Sequence, residues 1–133
     1  MATLSITVAN IRLTATTLTE VVTAGEGITP MMPIYKATDG TYYKAANTTA
    51  TLANASALSY GTADAGEPLM IITGGGVVPG ATLVASEKYV VAALGLISDV
   101  GDHGTGDFGT DVGWASSTTQ LEVDFNASGV ARG

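Results

Sequence analysis

The chain has 133 residues, enough for one domain with a real core and too few for two, and only 13% of them are charged. The net charge is −7, and the five basic residues Arg12, Lys36, Lys44, Lys88 and Arg132 are too scattered to follow a phosphate backbone, so nucleic acid is excluded as an expected partner. The absence of cysteine excludes disulfides, thiolate metal sites and thiol nucleophiles, which leaves packing to supply the stability.

Leu4, Ile6 and Val8 alternate with Thr3, Ser5 and Thr7, the period-two pattern of a strand with one buried face. Such a segment serves either as a strand of its own domain or as an arm, here residues 1–10, that adds to a neighbour's sheet, with Leu4, Ile6 and Val8 as its contact residues. Asn10 interrupts the pattern, and a second threonine-rich strand is expected from Ile11 through Val22. The loop AGEG follows, and the two prolines in residues 28–33 suit a strand entrance or an edge.

Residues 34–44, IYKATDGTYYK, read as a β-hairpin, because Asp39-Gly40 accepts the positive φ values that a tight primed turn requires. Residues 45–58, AANTTATLANASAL, have the only helix-friendly composition, and one short helix is expected near 48–57. Residues 60–67 form a return strand and a turn.

The densest apolar stretch spans residues 68–93. Leu69 to Ile72, Val77-Val78, Thr82 to Val84 and Tyr89 to Val91 read as short core strands, with the triple glycine 74–76 as a turn or bulge and Pro79-Gly80 as a turn. Residues 95–113 read as a glycine-rich loop carrying Asp99, Asp102, His103, Asp107 and Asp111, closed by Trp114. Residues 118–126, TTQLEVDFN, alternate cleanly and form a final strand before a polar tail. Together these elements predict a mainly β fold: a single-domain β-barrel or sandwich of short strands, spanning 1–133, with one short helix.

Few positions invite chemistry. The carboxylates around Asp102 and His103 lack the alternating ligand spacing of an EF-hand and the nonapeptide repeat of a calcium-binding β-roll, so no metal is expected. No Gly-x-Ser-x-Gly occurs, His103 has nothing beside it to hold its tautomer, and the triple glycine lacks the Gly-Lys-Ser/Thr of a phosphate loop. The expectation is a protein without catalysis or cofactor. A metal-dependent hydrolase centred on Asp102, His103 and Asp107 is the weakest alternative. No run approaches the length of a membrane span, and the opening MATLSITVANIRLTATT has neither a basic n-region nor an apolar h-region, so no membrane association and no secretion signal are expected. So few charges on a chain of positive mean hydropathy imply that much weakly polar surface faces protein, in a homo-oligomer or against a partner.

The order of segments resembles the head decoration proteins of tailed phages, the capsid cement family. The resemblance is carried by AGEGITP, PIYKATDGTYYKA, TTATLANASAL, GEPLMIIT, GATLVASEKYVVAA and GDFGTDVGWASSTTQLEVDFNASGVA, in that order from about Ala24 onward. Residues 1–23 are poorly covered, and the stretch 98–107 looks like an insertion. The resemblance implies a mainly β fold with no active site and no cofactor. It implies a virion protein, made in the host cytoplasm, that sits on the outer surface of the capsid and bridges copies of the major capsid protein; a homotrimer is expected from the symmetry of sites between hexagonally packed shell subunits. The alternative from another class is a carbohydrate-binding or adhesive β-module, a fibre or tail component, with Tyr35, Tyr42, Tyr43 and Trp114 lining one exposed face.

Overall fold

The computed structural model describes residues 4, 6–49, 51–92, 95–99 and 108–131. Ten strands follow one another: β1 Ile11–Leu13, β2 Leu18–Thr23, β3 Pro33–Lys36, β4 Tyr42–Lys44, β5 Ala57–Ser59, β6 Pro68–Pro79, β7 Lys88–Val91, β8 Ile97–Asp99, β9 Phe108–Ala115 and β10 Leu121–Ala131. They join in one antiparallel sheet in the order β4-β3-β5-β6-β10-β9-β7-β8, with β1 and β2 paired to β6 off that path. The sheet curls into a half-barrel, so the mainly β expectation holds.

β6 is the spine. Its first half pairs with β2, from Thr23↔Pro68 to Leu18↔Gly74, and with β5 at Leu58↔Ile72. Its second half pairs with β1 at Leu13↔Val77 and with β10 at Leu121↔Val77. The exchange of partners falls on the triple glycine, and the register with β2 shifts between Leu18 and Thr19 as a bulge. The extra residue of that bulge is Thr73, just before the glycines rather than within 74–76, and no turn forms there: the two expected strands are one strand of 12 residues.

Gly75 makes this continuity feasible. Its φ is +82°, and a Cβ at this position would lie 1.9 Å from the Thr16 carbonyl oxygen. Opposite it the chain leaves the ladder between β1 and β2, and threonine hydroxyls take over the hydrogen bonding. The Gly76 carbonyl accepts from Thr14 Oγ1 at 3.0 Å and from Thr17 Oγ1, while the Gly76 N–H donates to Thr16 Oγ1 at 3.1 Å.

Two apolar clusters fill the fold. The larger gathers Ile72, Val77, Leu83, Val91, Val112 and Leu121 among others, and the smaller Ile28, Ile34, Leu69 and Ile71. The period-two pleat of β6 explains the split, since Leu69 and Ile71 point one way and Ile72 the other. Each such fully buried side chain contributes roughly 1.5–3 kcal/mol. Buried Ser59 is hydrogen-bonded from both sides, donating to the Thr29 carbonyl at 2.6 Å and accepting from the Met32 N–H at 3.0 Å.

Several local expectations need correction: the strand expected from Ile11 through Val22 is two, β1 and β2, and residues 60–67 are turn and irregular chain rather than a return strand. The hairpin forms, pairing Tyr35↔Tyr43, but its loop is not a two-residue primed turn. Ala37 N–H bonds to Thr41 O and Gly40 N–H to Ala37 O, and only Gly40, at φ +87°, is left-handed, which is the three-residue loop with a glycine bulge. Asp39 closes it by accepting from Thr41 N–H at 2.9 Å and Thr41 Oγ1 at 2.7 Å; these bonds hold its carboxyl below the ordinary value.

The helix near 48–57 is reduced to a single turn, Ala53 N–H to Thr49 O at 2.9 Å. Beyond it Ala53, Ala55 and Ala57 are buried while Asn54 and Ser56 are exposed, so the alanines alternate as a strand does and feed β5. Thr82 to Val84 is irregular chain rather than a strand: Leu83 is buried, yet its N–H bonds to Thr118 O and the Val84 N–H to the Tyr89 hydroxyl. The supposed loop 95–113 contains β8 and most of β9.

Candidate binding surfaces

The N-terminal segment enters the fold as extended chain. Leu4 N–H bonds to Ile97 O and Thr7 N–H to Gly80 O, both at 2.8 Å, and Val8–Asn10 form one 3-10 turn. Of the three candidate arm residues, Leu4 and Ile6 are partly buried against the larger cluster, and Val8 is 59% exposed.

From Val8 the chain runs along one side of β6, and exposed apolar side chains concentrate there. Val8, Leu13, Leu18 and Val21 are half of the exposed large hydrophobic residues among those described. Val21, 62% exposed, stands directly opposite half-exposed Met70 in the β2–β6 register. Among the described residues β2 pairs with β6 alone, and every residue in it except Val22 is exposed. Natural edge strands are usually blunted by charged residues, lysine above all, by proline or by bulges, and β2, LTEVVT, has only Glu20 and the bulge opposite Leu18 and Thr19. Sequence reasoning placed a strand here but missed that it is an uncovered edge, because the partner of a strand is not written in its own residues.

The four aromatic residues do not form one exposed face. Tyr42 is buried in the smaller cluster, where desolvation, with a further push from the Glu20 carboxylate, raises its hydroxyl above the ordinary value. Tyr35 and Tyr43 pair across the hairpin with ring centroids 6.1 Å apart, and the Tyr43 ring lies where a Cβ on Gly25 would be. Trp114 lies elsewhere, on β9, 48% exposed between Lys88 of β7 and Glu122 of β10.

Of the acidic residues near the histidine, Asp102, His103 and Asp107 lie outside the described residues. Asp99 ends β8, pairing with Tyr89. Asp111 belongs to β9, and its carboxylate is 3.4 Å from Lys88 Nζ across the strand pair, a surface contact contributing at most about 1 kcal/mol. Among the described residues no three His, Cys, Asp or Glu side chains come together as a metal site.

No family model matches the chain, and no curated protein or solved structure matches it.

Proposed function

We propose that this protein is a capsid decoration protein of a tailed phage, which binds the outside of the shell and stabilises it by bridging copies of the major capsid protein. The observation that best supports this reading is the open edge strand Leu18–Thr23, with Leu18, Val21 and Met70 uncovered beside it. An edge strand with Leu18 and Val21 exposed and a single charge fits a protein whose working state buries it against a neighbouring chain. The order of motifs shared with the cement family supports the same reading.

The mechanism is mechanical. Each copy makes a modest contact with two or more shell subunits, and repetition around the lattice multiplies those contacts into a large barrier to shell opening. Weakly polar Thr and Ala surface loses little solvation when covered, and the acidic excess keeps free copies apart before assembly. The protein carries out no reaction and needs no cofactor. A homotrimer suits sites between hexagonally packed shell subunits.

The test is the copy number of this protein relative to the major shell protein in purified virions, by quantitative mass spectrometry. The expected result is a number approaching that of the shell protein. A handful of copies per particle would make it a tail or fibre component, and its absence would remove the reading altogether.

A further inference from the structure

A second surface is independent of the capsid reading. The outer face of the sheet around β9 carries the chain's single tryptophan where a soluble sheet usually shows polar residues. Beside the indole is a small hollow of about 110 Å³, lined by Lys88, Asp111, Gly113, Trp114 and Asp124. Asp124 also lines a larger open cleft of about 510 Å³, bounded by residues 54–56 before β5, Thr73 and Gly74 of β6, and residues 123–126 of β10. That cleft presents Asn54, Ser56, Thr73 and Asn126. The two hollows share Asp124 in their linings and together make the candidate groove: Trp114 and the Lys88–Asp111 pair line one, and amide, hydroxyl and carboxylate groups beside Ala55, Val123 and Phe125 line the other.

The chemistry of this lining selects a ligand class. A half-exposed indole offers a flat apolar face with a polar edge. The asparagines each offer a carbonyl acceptor and an NH₂ donor, the hydroxyls do both, and the aspartates accept only. A volume of about 510 Å³ lies within the range of about 300–1,000 Å³ typical of small-ligand sites. A polyanion is disfavoured by the net charge of −7 and by Asp124, since Lys88 in the same lining is already paired with Asp111. An apolar ligand would leave the amides and hydroxyls unpaired. Neutral sugars suit both ends, since a pyranose ring has an apolar C–H face and a rim of hydroxyls that donate and accept. We propose that this groove binds a neutral oligosaccharide, with one ring stacked on Trp114 and the following rings hydrogen-bonded by Asp124, Asn126 and Asn54.

Trp114 is the only tryptophan, so its fluorescence reports on the site directly. The full chain is titrated with maltohexaose, cellohexaose and chitohexaose, with a heparin hexasaccharide as the anionic control, following both Trp emission and calorimetric heat. The expected result is saturable binding of at least one neutral hexasaccharide with a Kd of about 1 mM or tighter. In calorimetry Trp114→Ala and Asn126→Ala, each checked for an unchanged circular dichroism spectrum, should weaken that binding by about tenfold or more. No saturable heat with any neutral hexasaccharide overturns the proposal, as does binding of the heparin fragment alone. Binding that survives both substitutions overturns the groove as its location.

Discussion

Gly75 shows how much of this fold hangs on one missing side chain. It combines a φ of +82° with a backbone oxygen, Thr16 O, 1.9 Å from where a Cβ would be. The left-handed conformation alone costs an L-residue roughly 1–2 kcal/mol, and a backbone atom cannot step aside as a flexible side-chain tip can. Gly75→Ala should therefore destabilise the chain by about 2 kcal/mol or more, measured by denaturant unfolding. Gly74→Ala is the control, because at that position φ is ordinary and the nearest atom, Leu18 Cδ1, is 3.5 Å from the added carbon, an ordinary contact. Equal losses at the two positions would show that general glycine flexibility, rather than the bulge, is what matters. That the strand is irregular near the triple glycine was legible in the sequence, though the extra residue of the bulge is Thr73. Which of the three glycines carries the constraint was not, since that depends on Thr16, nearly sixty residues away.

At the scale of the element, legibility follows the range of the interactions involved. The hairpin was readable because its turn chemistry and both strands lie within twelve residues, and only its loop type was misjudged. The alternation of Ala53, Ala55 and Ala57 was also on view, but alanine's helix propensity masked a period that burial in the sheet decides. β9 was hidden more deeply. Its residues, FGTDVGWA, look like a loop by composition, and they form a strand because β7 and β10 flank them on both sides. Gly113 is required there, as a Cβ would meet the Glu122 carbonyl at 1.9 Å. The open edge β2 was likewise invisible, and it carries its own prediction. Val21 is 62% exposed, so Val21→Lys should change the stability of the free protein by no more than about 0.5 kcal/mol. Lysine is the residue with which natural proteins blunt such edges, so under the proposed capsid role the same variant should bind poorly to shells stripped of this protein, measured by co-sedimentation. Binding equal to that of the unsubstituted chain would overturn β2 as the proposed capsid contact.

At the scale of the whole molecule, the two apolar clusters share one strand. Leu69 and Ile71 serve the smaller cluster while Ile72 and Val77 serve the larger, all on β6. Losing the packing of either cluster releases the spine of the other, so the chain should unfold as one unit although its sheet has two differently packed halves. Trp114 makes this testable, because it reports on the half that packs against the larger cluster. Leu69, 1% exposed, belongs to the smaller cluster on β6, which β10 separates from the indole's strand β9, and Leu69→Ala should cost about 2–5 kcal/mol. At about 4 °C per kcal/mol, its thermal midpoint should fall by about 8 °C or more. If β6 couples the halves, tryptophan emission and far-UV circular dichroism will report that fall at one common midpoint. If the tryptophan midpoint stays in place while the dichroism moves, the halves melt separately and β6 is a hinge rather than a spine. Cooperative behaviour would also suit a shell-bridging role, because a protein loaded at its β2 edge can transmit force to its far side only if it yields as a whole.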